Sequence, residues 1–494
     1  MIAKNWFSRC WQWQIGGCVA IFGALSVGVS DRVLAQIVPD NTLGAEGSVV
    51  TPNANIGGIP SDRIDGGATR GANLFHSFSD FNVGQGRGIY FANPAGIENI
   101  LTRVTGNHAS NILGRLGVLG GANLFLLNPN GIVFGQNASL DIQGSFVATT
   151  AERIQLGDSG YFSAAEPQKS SLFSVSPGAL FFDAVANQPS SIINRGNLST
   201  GKHLTLSAGN LDLQGQLEAL GDLTLEAQDT VKVRDTVTTL FLARSGGNLT
   251  IIGNGGIDIL ALLHPTQTPF VSGENLSLIS DGVISGDAHF TSGGSFSIKS
   301  VSGGLANFVS LHDPIISSNG DVDVAANYTG ASLLVESKGN IRFRGDINII
   351  GPDTNALPAG PDTAILSTST ALIMRSGQSA LAYGGVNSGV VPNASNQPVP
   401  AGITLGGNVT LQPFKGAGGI VSLTTASGNV STQGITTNGG TIKVNSAGSI
   451  TTNRQTLSTK NGDDIDAYFN SCGFDFGSCT YMGSGLPALG GGGN

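Results

Sequence analysis

From about residue 200 onward the chain repeats one short pattern, a Gly, Asn or Ser turn followed by apolar-x-apolar. It recurs in GNLDLQG (209–215), GDLTLEA (221–227), GNLTIIG (247–253), ENLSLIS (274–280), GSFSIKS (294–300), GDVDVAA (320–326), GNIRFRG (339–345), GNVTLQP (407–413), GNVSTQG (428–434) and GTIKVNS (440–446). Strict alternation over four or five residues puts apolar side chains on one face of a strand and polar ones on the other, so each stretch predicts a short, half-buried strand. A longer spacing lies on top. Val409 and Val430 are 21 residues apart, as are Val421 and Ile442, and Leu276 and Phe296 are 20 apart. A period near 20 with two or three strands per unit predicts a solenoid. Leucine-rich repeats share the period but need their own leucine consensus and a helix in every unit. Neither recurs here. The pattern therefore predicts an all-β chain folded as a right-handed parallel β-helix, with Gly and Asn at the corners. Some 18 rungs at about 4.8 Å each give a rod on the order of 85 Å long.

Three stretches depart from the repeat. Residues 36–165 are denser in aromatics and hold an internal echo, GANLFHSFSDFNVGQG (71–86) against GANLFLLNPNGIVFGQN (121–137). They read as an N-terminal cap with specialised first rungs, ahead of β-helix repeats over 166–350 and 402–455. Residues 351–401 are rich in Pro, Gly and Asn and read as a loop insertion leaving the rod. Residues 456–494 lose the pattern and read as a flexible tail holding Cys472 and Cys479.

Composition narrows the function. Among 494 residues there are 73 glycines, and only 12% are charged, with a net charge of −9. That balance offers no basic patch and excludes nucleic acid as a partner. Lys4 and Arg9, the apolar run Ile15 to Val29 and the small-residue site Val33-Leu34-Ala35 make residues 1–35 a cleaved signal peptide. The apolar run is short for a membrane span. Cleavage leaves Cys472 and Cys479, a spacing that suits a small disulfide-closed loop in an exported chain. The six histidines are scattered singly and suggest no metal site, and no cofactor motif is complete.

Residues 122–140, ANLFLLNPNGIVFGQNASL, join two apolar runs through Asn128-Pro129-Asn130-Gly131. The corner suits a type I turn: Asn128 can bond its own backbone two residues on, Pro129 fixes φ, and Gly131 accepts positive φ. ANLFLLNPNGIVFGQNASLDIQGSFVATTA (122–151), with NLFHSFSDFNV (73–83), NPAGIENILTRVTG (93–106) and NILGRLG (111–117), resembles the secretion domain of filamentous haemagglutinin-type exoproteins, the passengers of two-partner secretion. That resemblance implies a β-helix with an N-terminal cap, exported by the Sec machinery. It implies a dedicated outer-membrane β-barrel transporter whose periplasmic domains recognise the unfolded chain. It also implies a product at or beyond the surface of a two-membraned bacterium, commonly an adhesin for host-cell or glycan surfaces. The family's NPNGI motif falls on Asn128, Pro129, Asn130, Gly131 and Ile132. Its upstream NPNL motif falls on Asn93-Pro94-Ala95-Gly96, where only Asn93 and Pro94 match.

Parallel β-helices also carry polysaccharide-cleaving enzymes. Asp321 and Asp323, two residues apart on one strand, share a face as paired carboxylates for acid–base chemistry would. Lys338, Arg342 and Arg344 lie close by in sequence. Gly157-Asp158-Ser159-Gly160 imitates a nucleophile loop without a His/Asp framework, and Gly84 to Gly88 lacks the last glycine of a dinucleotide fingerprint. The expectation is a non-enzymatic exoprotein, with a β-helix enzyme acting on extracellular polysaccharide as the alternative.

Overall fold

The computed structural model describes residues 37–181, 190–237, 239–264, 267–355, 360–384 and 400–452, with two further strands at Leu457–Ser458 and Ile465–Phe469. The expected signal peptide and the Cys472/Cys479 pair lie outside the described residues. The alternating segments wind into a right-handed parallel β-helix with three faces. One rung shows the order. Asn99–Val104 lies on face I, Ser110–Ile112 on face II and Arg115–Leu119 on face III, and Asn123–Leu127 then returns to face I beside Asn99–Val104. Among the described residues, faces I and III hold 16 strands each and face II holds 13.

Each strand buries its alternate residues. Leu223–Ala227 places Leu223, Leu225 and Ala227 inside, with Thr224 and Glu226 partly exposed. Parallel, in-register pairing then stacks like on like. Leu204, Leu223, Leu249, Leu276, Phe296, Val322, Ile341, Ile403 and Val430 form one inward file on face I. One continuous apolar core consequently runs from Ile64 to Val444. The corners are wired by a second file. The Asp222 side chain accepts from the Asn248 backbone at 2.7 Å, Asn248 from Asn275 at 3.2 Å, and Asn275 from Ser295 at 2.9 Å. Each link satisfies a corner N–H that neither sheet can reach.

Thirteen strands on face II correspond to a rod of about 60 Å, shorter than the 18 rungs expected. Three stretches use chain without adding a rung. The hairpin Ser48–Ile56 and Ile59–Gly66 closes the end of face III. Ile37–Pro39 and Ala68–Arg70 run antiparallel to Asn73–Phe81 at the end of face I. Finally, Arg153–Leu156, Gly160–Ser163 and Pro177–Phe181 form an antiparallel sheet outside the rod. This outer sheet lies over the first rungs of face I, in a second core of Phe75, Leu101, Leu127, Ile154, Leu156 and Phe162.

The loop expected over 351–401 needs correction. Ala371–Ser376 is a rung strand of face III, paired parallel with Leu333–Ser337 and Ile420–Thr425. Leu372 and Met374 enter the main core, while Ala371 and Ile373 are buried outward beneath Leu366 and Tyr383. Burial on both sides erases the two-residue alternation that marks the other strands. The short helix Thr363–Thr368 supplies Leu366. Residues 385–399 lie outside the described set.

Candidate functional site

The Asn-Pro-Asn-Gly corner joins face I to face II, between Asn123–Leu127 and Ile132–Phe134. Gly131 N donates to Asn128 O at 3.1 Å, which closes the turn. Asn130 keeps a negative φ and Gly131 stands at φ +112, so the turn is of type I. Asn128 is fully buried. Its Nδ2 donates to His108 O and to Ser110 Oγ, each at 3.0 Å, and its Oδ1 accepts from Asn130 N at 3.0 Å. Its backbone N–H donates to Thr149 O of the next rung. Ile132 lies in the main core. Gly131 is tightly placed: a Cβ there would come within 3.1 Å of Ser191 O, on a backbone whose positive φ already disfavours a side chain.

Of the five motif residues, then, Asn128, Gly131 and Ile132 face inward. Pro129 is half-buried and Asn130 is exposed. Even Asn130 is tied down, since its Nδ2 donates to Gly106 O of the preceding rung at 2.8 Å.

Asn93 and Pro94 lie on a different corner, from face III to face I, between Gly88–Ala92 and Asn99–Val104. With its amide oriented so that the oxygen faces the two backbone N–H groups, Asn93 bridges rungs, accepting from Gly121 N and Ala122 N at 3.2 Å and donating to Ile97 O at 3.1 Å. Pro94 is exposed. The structure therefore does not bring the two Asn-Pro motifs onto one corner. What they share is a role: in each, an asparagine amide stitches a corner to a neighbouring rung.

Residues not singled out from sequence organise the surroundings. Arg103, fully buried, projects outward from Asn99–Val104 under the outer sheet. Asn73, Asn99 and Asn123 stack on face I, with Asn99 Nδ2 donating to Asn73 Oδ1 at 3.0 Å and Asn123 Nδ2 to Asn99 Oδ1 at 2.9 Å. The repeated GANLF places the two ends of this stack. His76 is buried against Phe78 and Phe91 with Nδ1 3.0 Å from Ser48 Oγ, and burial lowers its pKa to about 3. The signal for Arg103 was available: a lone cation on an outward position of NILTRV, whose other outward neighbour, Leu101, is apolar.

The carboxylate pair does share a face, but each acid is already engaged. Asp321 Oδ2 lies 3.0 Å from Arg342 Nη2, and Asp323 Oδ2 lies 2.9 Å from Arg344 Nη2. Asp321 Oδ1 also accepts from Asn340 N at 2.8 Å. Ser159 sits in the hairpin turn of the outer sheet. Among the described residues no three His, Cys, Asp or Glu side chains gather as a metal-holding group.

The chain is similar to several known proteins. A heme/hemopexin-binding protein of Haemophilus influenzae is 32% identical over 123 residues, covering 23% of this chain and 12% of that protein, so the chain spans only a small part of that relative's length. The crystal structure of the HMW1 secretion domain from Haemophilus influenzae aligns over 86% of this chain and 98% of its own, at 15% identity and a TM-score of 0.27. The filamentous hemagglutinin secretion domain aligns over 69% and 93%, at 14% identity and a TM-score of 0.23. The TPS secretion domain family matches residues 35–298, past the boundary at 165 expected from sequence. With more than half of its length matched, the chain belongs to the TPS secretion domain family, the exoproteins of two-partner secretion.

Proposed function

We propose that this protein leaves the cell through a cognate outer-membrane β-barrel transporter, folds outside into the rod, and serves there as a non-catalytic adhesin. The family match over 35–298 carries this reading. In it, the Sec machinery delivers the chain to the periplasm, where the transporter's periplasmic domains take up the unfolded secretion domain. The corner geometry supports recognition before folding. Asn128 and Ile132 are enclosed once the rungs stack, so their side chains are accessible to a partner only in the extended chain. The outward faces, with files such as Thr205, Thr224, Thr250, Ser277 and Ser297, leave a long polar surface for host-cell or glycan contacts.

The test is expression in a two-membraned bacterium with and without the transporter, followed by fractionation. The reading requires protein in the medium or on the surface only when the transporter is present; release without it would overturn the export step. Incubation of the purified protein with a cell and polysaccharide panel separates binding from turnover. Product release lost in Asp323→Ala would overturn the non-catalytic assignment.

A further inference from the structure

Two separate coverings lie on the first rungs of face I, and a single side chain touches both. One is the N-terminal strap of residues 40–46; the other is the outer sheet with the segment 164–176 that joins its second and third strands. The Arg103 guanidinium lies between them, 4.6 Å from the centre of the Phe162 ring. Nε donates to Ser77 Oγ at 2.8 Å and Nη2 to Thr42 Oγ1 at 2.7 Å. Nη1 donates to Ser163 O at 2.8 Å and to Ser170 Oγ at 2.7 Å.

No carboxylate touches the cation directly. Asp40 instead accepts from Thr42 Oγ1 at 2.6 Å and from Ser77 Oγ at 2.8 Å. A guanidinium only donates and a carboxylate only accepts, so the two hydroxyls between them are oriented from both sides. Burial lowers the Arg103 pKa to about 10, and the Asp40 charge opposes that shift, so the group stays cationic at neutral pH.

We propose that Arg103 couples the two coverings, so that strap and outer sheet lock as one unit only after the chain through Ser170 has arrived. With either covering absent, part of the guanidinium's donor set has no protein partner, and burying it in that state is unfavourable. Water keeps the half-assembled site open. Each covering thereby raises the other's stability, and linkage makes the effect reciprocal. The consequence for export rests on the threading reading above: the cap stays open while residues up to Ser170 are still inside the transporter.

The test uses the purified full-length protein without a transporter, so its outcome is independent of the export reading. Amide hydrogen exchange is followed by mass spectrometry in Ser170→Ala and Thr42→Ala. Ser170→Ala is expected to speed exchange in 37–46 on the order of tenfold, the factor matching about 1.4 kcal/mol from a lost charge-assisted hydrogen bond. Thr42→Ala should speed 160–170 by the same factor, with 204–279 unchanged in both. In an Arg103→Met background, Ser170→Ala should then add nothing to the strap's rate. Alanine variants that loosen only their own segment would overturn the proposal. So would strap loosening by Ser170→Ala that persists without Arg103, since apolar packing through Leu43 and Leu172 would then suffice. If Arg103→Met does not fold, the reciprocal alanine pair decides alone.

Discussion

The side-chain carbonyl of Asn128 accepts the Asn130 backbone amide at 3.0 Å, so the buried residue that opens the corner also holds its exposed tip. The two asparagines should therefore respond differently to substitution. Asn128→Ala strands His108 O and Ser110 Oγ and is expected to cost about 1–3 kcal/mol in urea denaturation. Asn130→Ala loses two bonds from a solvent-exposed side chain, to Gly106 O and to Asn128 Oδ1, and should cost about 0.5–1.5 kcal/mol. If the transporter reads the corner, Asn130→Ala and Pro129→Ala cut secretion while the purified cap stays folded. Secretion loss that merely tracks stability across the series would mean the corner is a turn and nothing more.

Gly131 gives a steric control on the same corner. Its φ of +112 and the nearby Ser191 carbonyl make Gly131→Ala strained, at about 1–3 kcal/mol. The thermal midpoint should drop accordingly. An unchanged midpoint would show that the backbone relaxes at this site.

The rod's inside and outside should differ sharply at adjacent residues. Ile251 stacks between Leu225 and Leu278 in the core, and Ile251→Ala is expected to cost about 2–5 kcal/mol. Its neighbour Thr250 points outward, and Thr250→Val should stay within about 0.5 kcal/mol. Denaturant midpoints check both.

Acid should destabilise the fold through two buried histidines. Burial lowers the pKa of His76 to about 3; burial and then the neighbouring His264 lower that of His289 to about 3. Unfolded, each titrates near 6.5, so between about pH 6.5 and 3 the unfolded chain binds the extra proton. Stability then falls as pH drops through that window, by up to about 1.4 kcal/mol per pH unit per histidine, and is flat above it. His76→Gln and His289→Gln should each shallow the slope between pH 6 and 4.5. Asp353, whose pKa burial raises, acts in the opposite direction, which is why differences between variants are the quantity to compare. Slopes identical to wild type would place the acid sensitivity elsewhere.

Much of the rod was legible from sequence, because alternation and stacking impose the same rule on every rung. Val421 pairs with Ile442 and Leu276 with Phe296, as their spacing indicates. Val409, however, pairs with Ile435 on face II, while Val430 pairs with Ile403 on face I. The three faces use one pattern, so alternation finds strands without saying which face they occupy. Ala371–Ser376 was hidden for the converse reason, being buried on both sides. At the cap, Asn128 could be read from turn chemistry. Arg103 announced itself only as a lone cation on an otherwise apolar outward stretch; its role could not be read, because its partners lie 26 to 67 residues away.

The in-register files have a mechanical side. The 20 residues from Leu276 to its stacking partner Phe296 span about 65 Å when extended, yet completing that rung lengthens the rod by only about 4.8 Å. A chain folding on the far side of a pore is thus reeled in more than tenfold faster than its product grows. Each newly buried rung resists being drawn back.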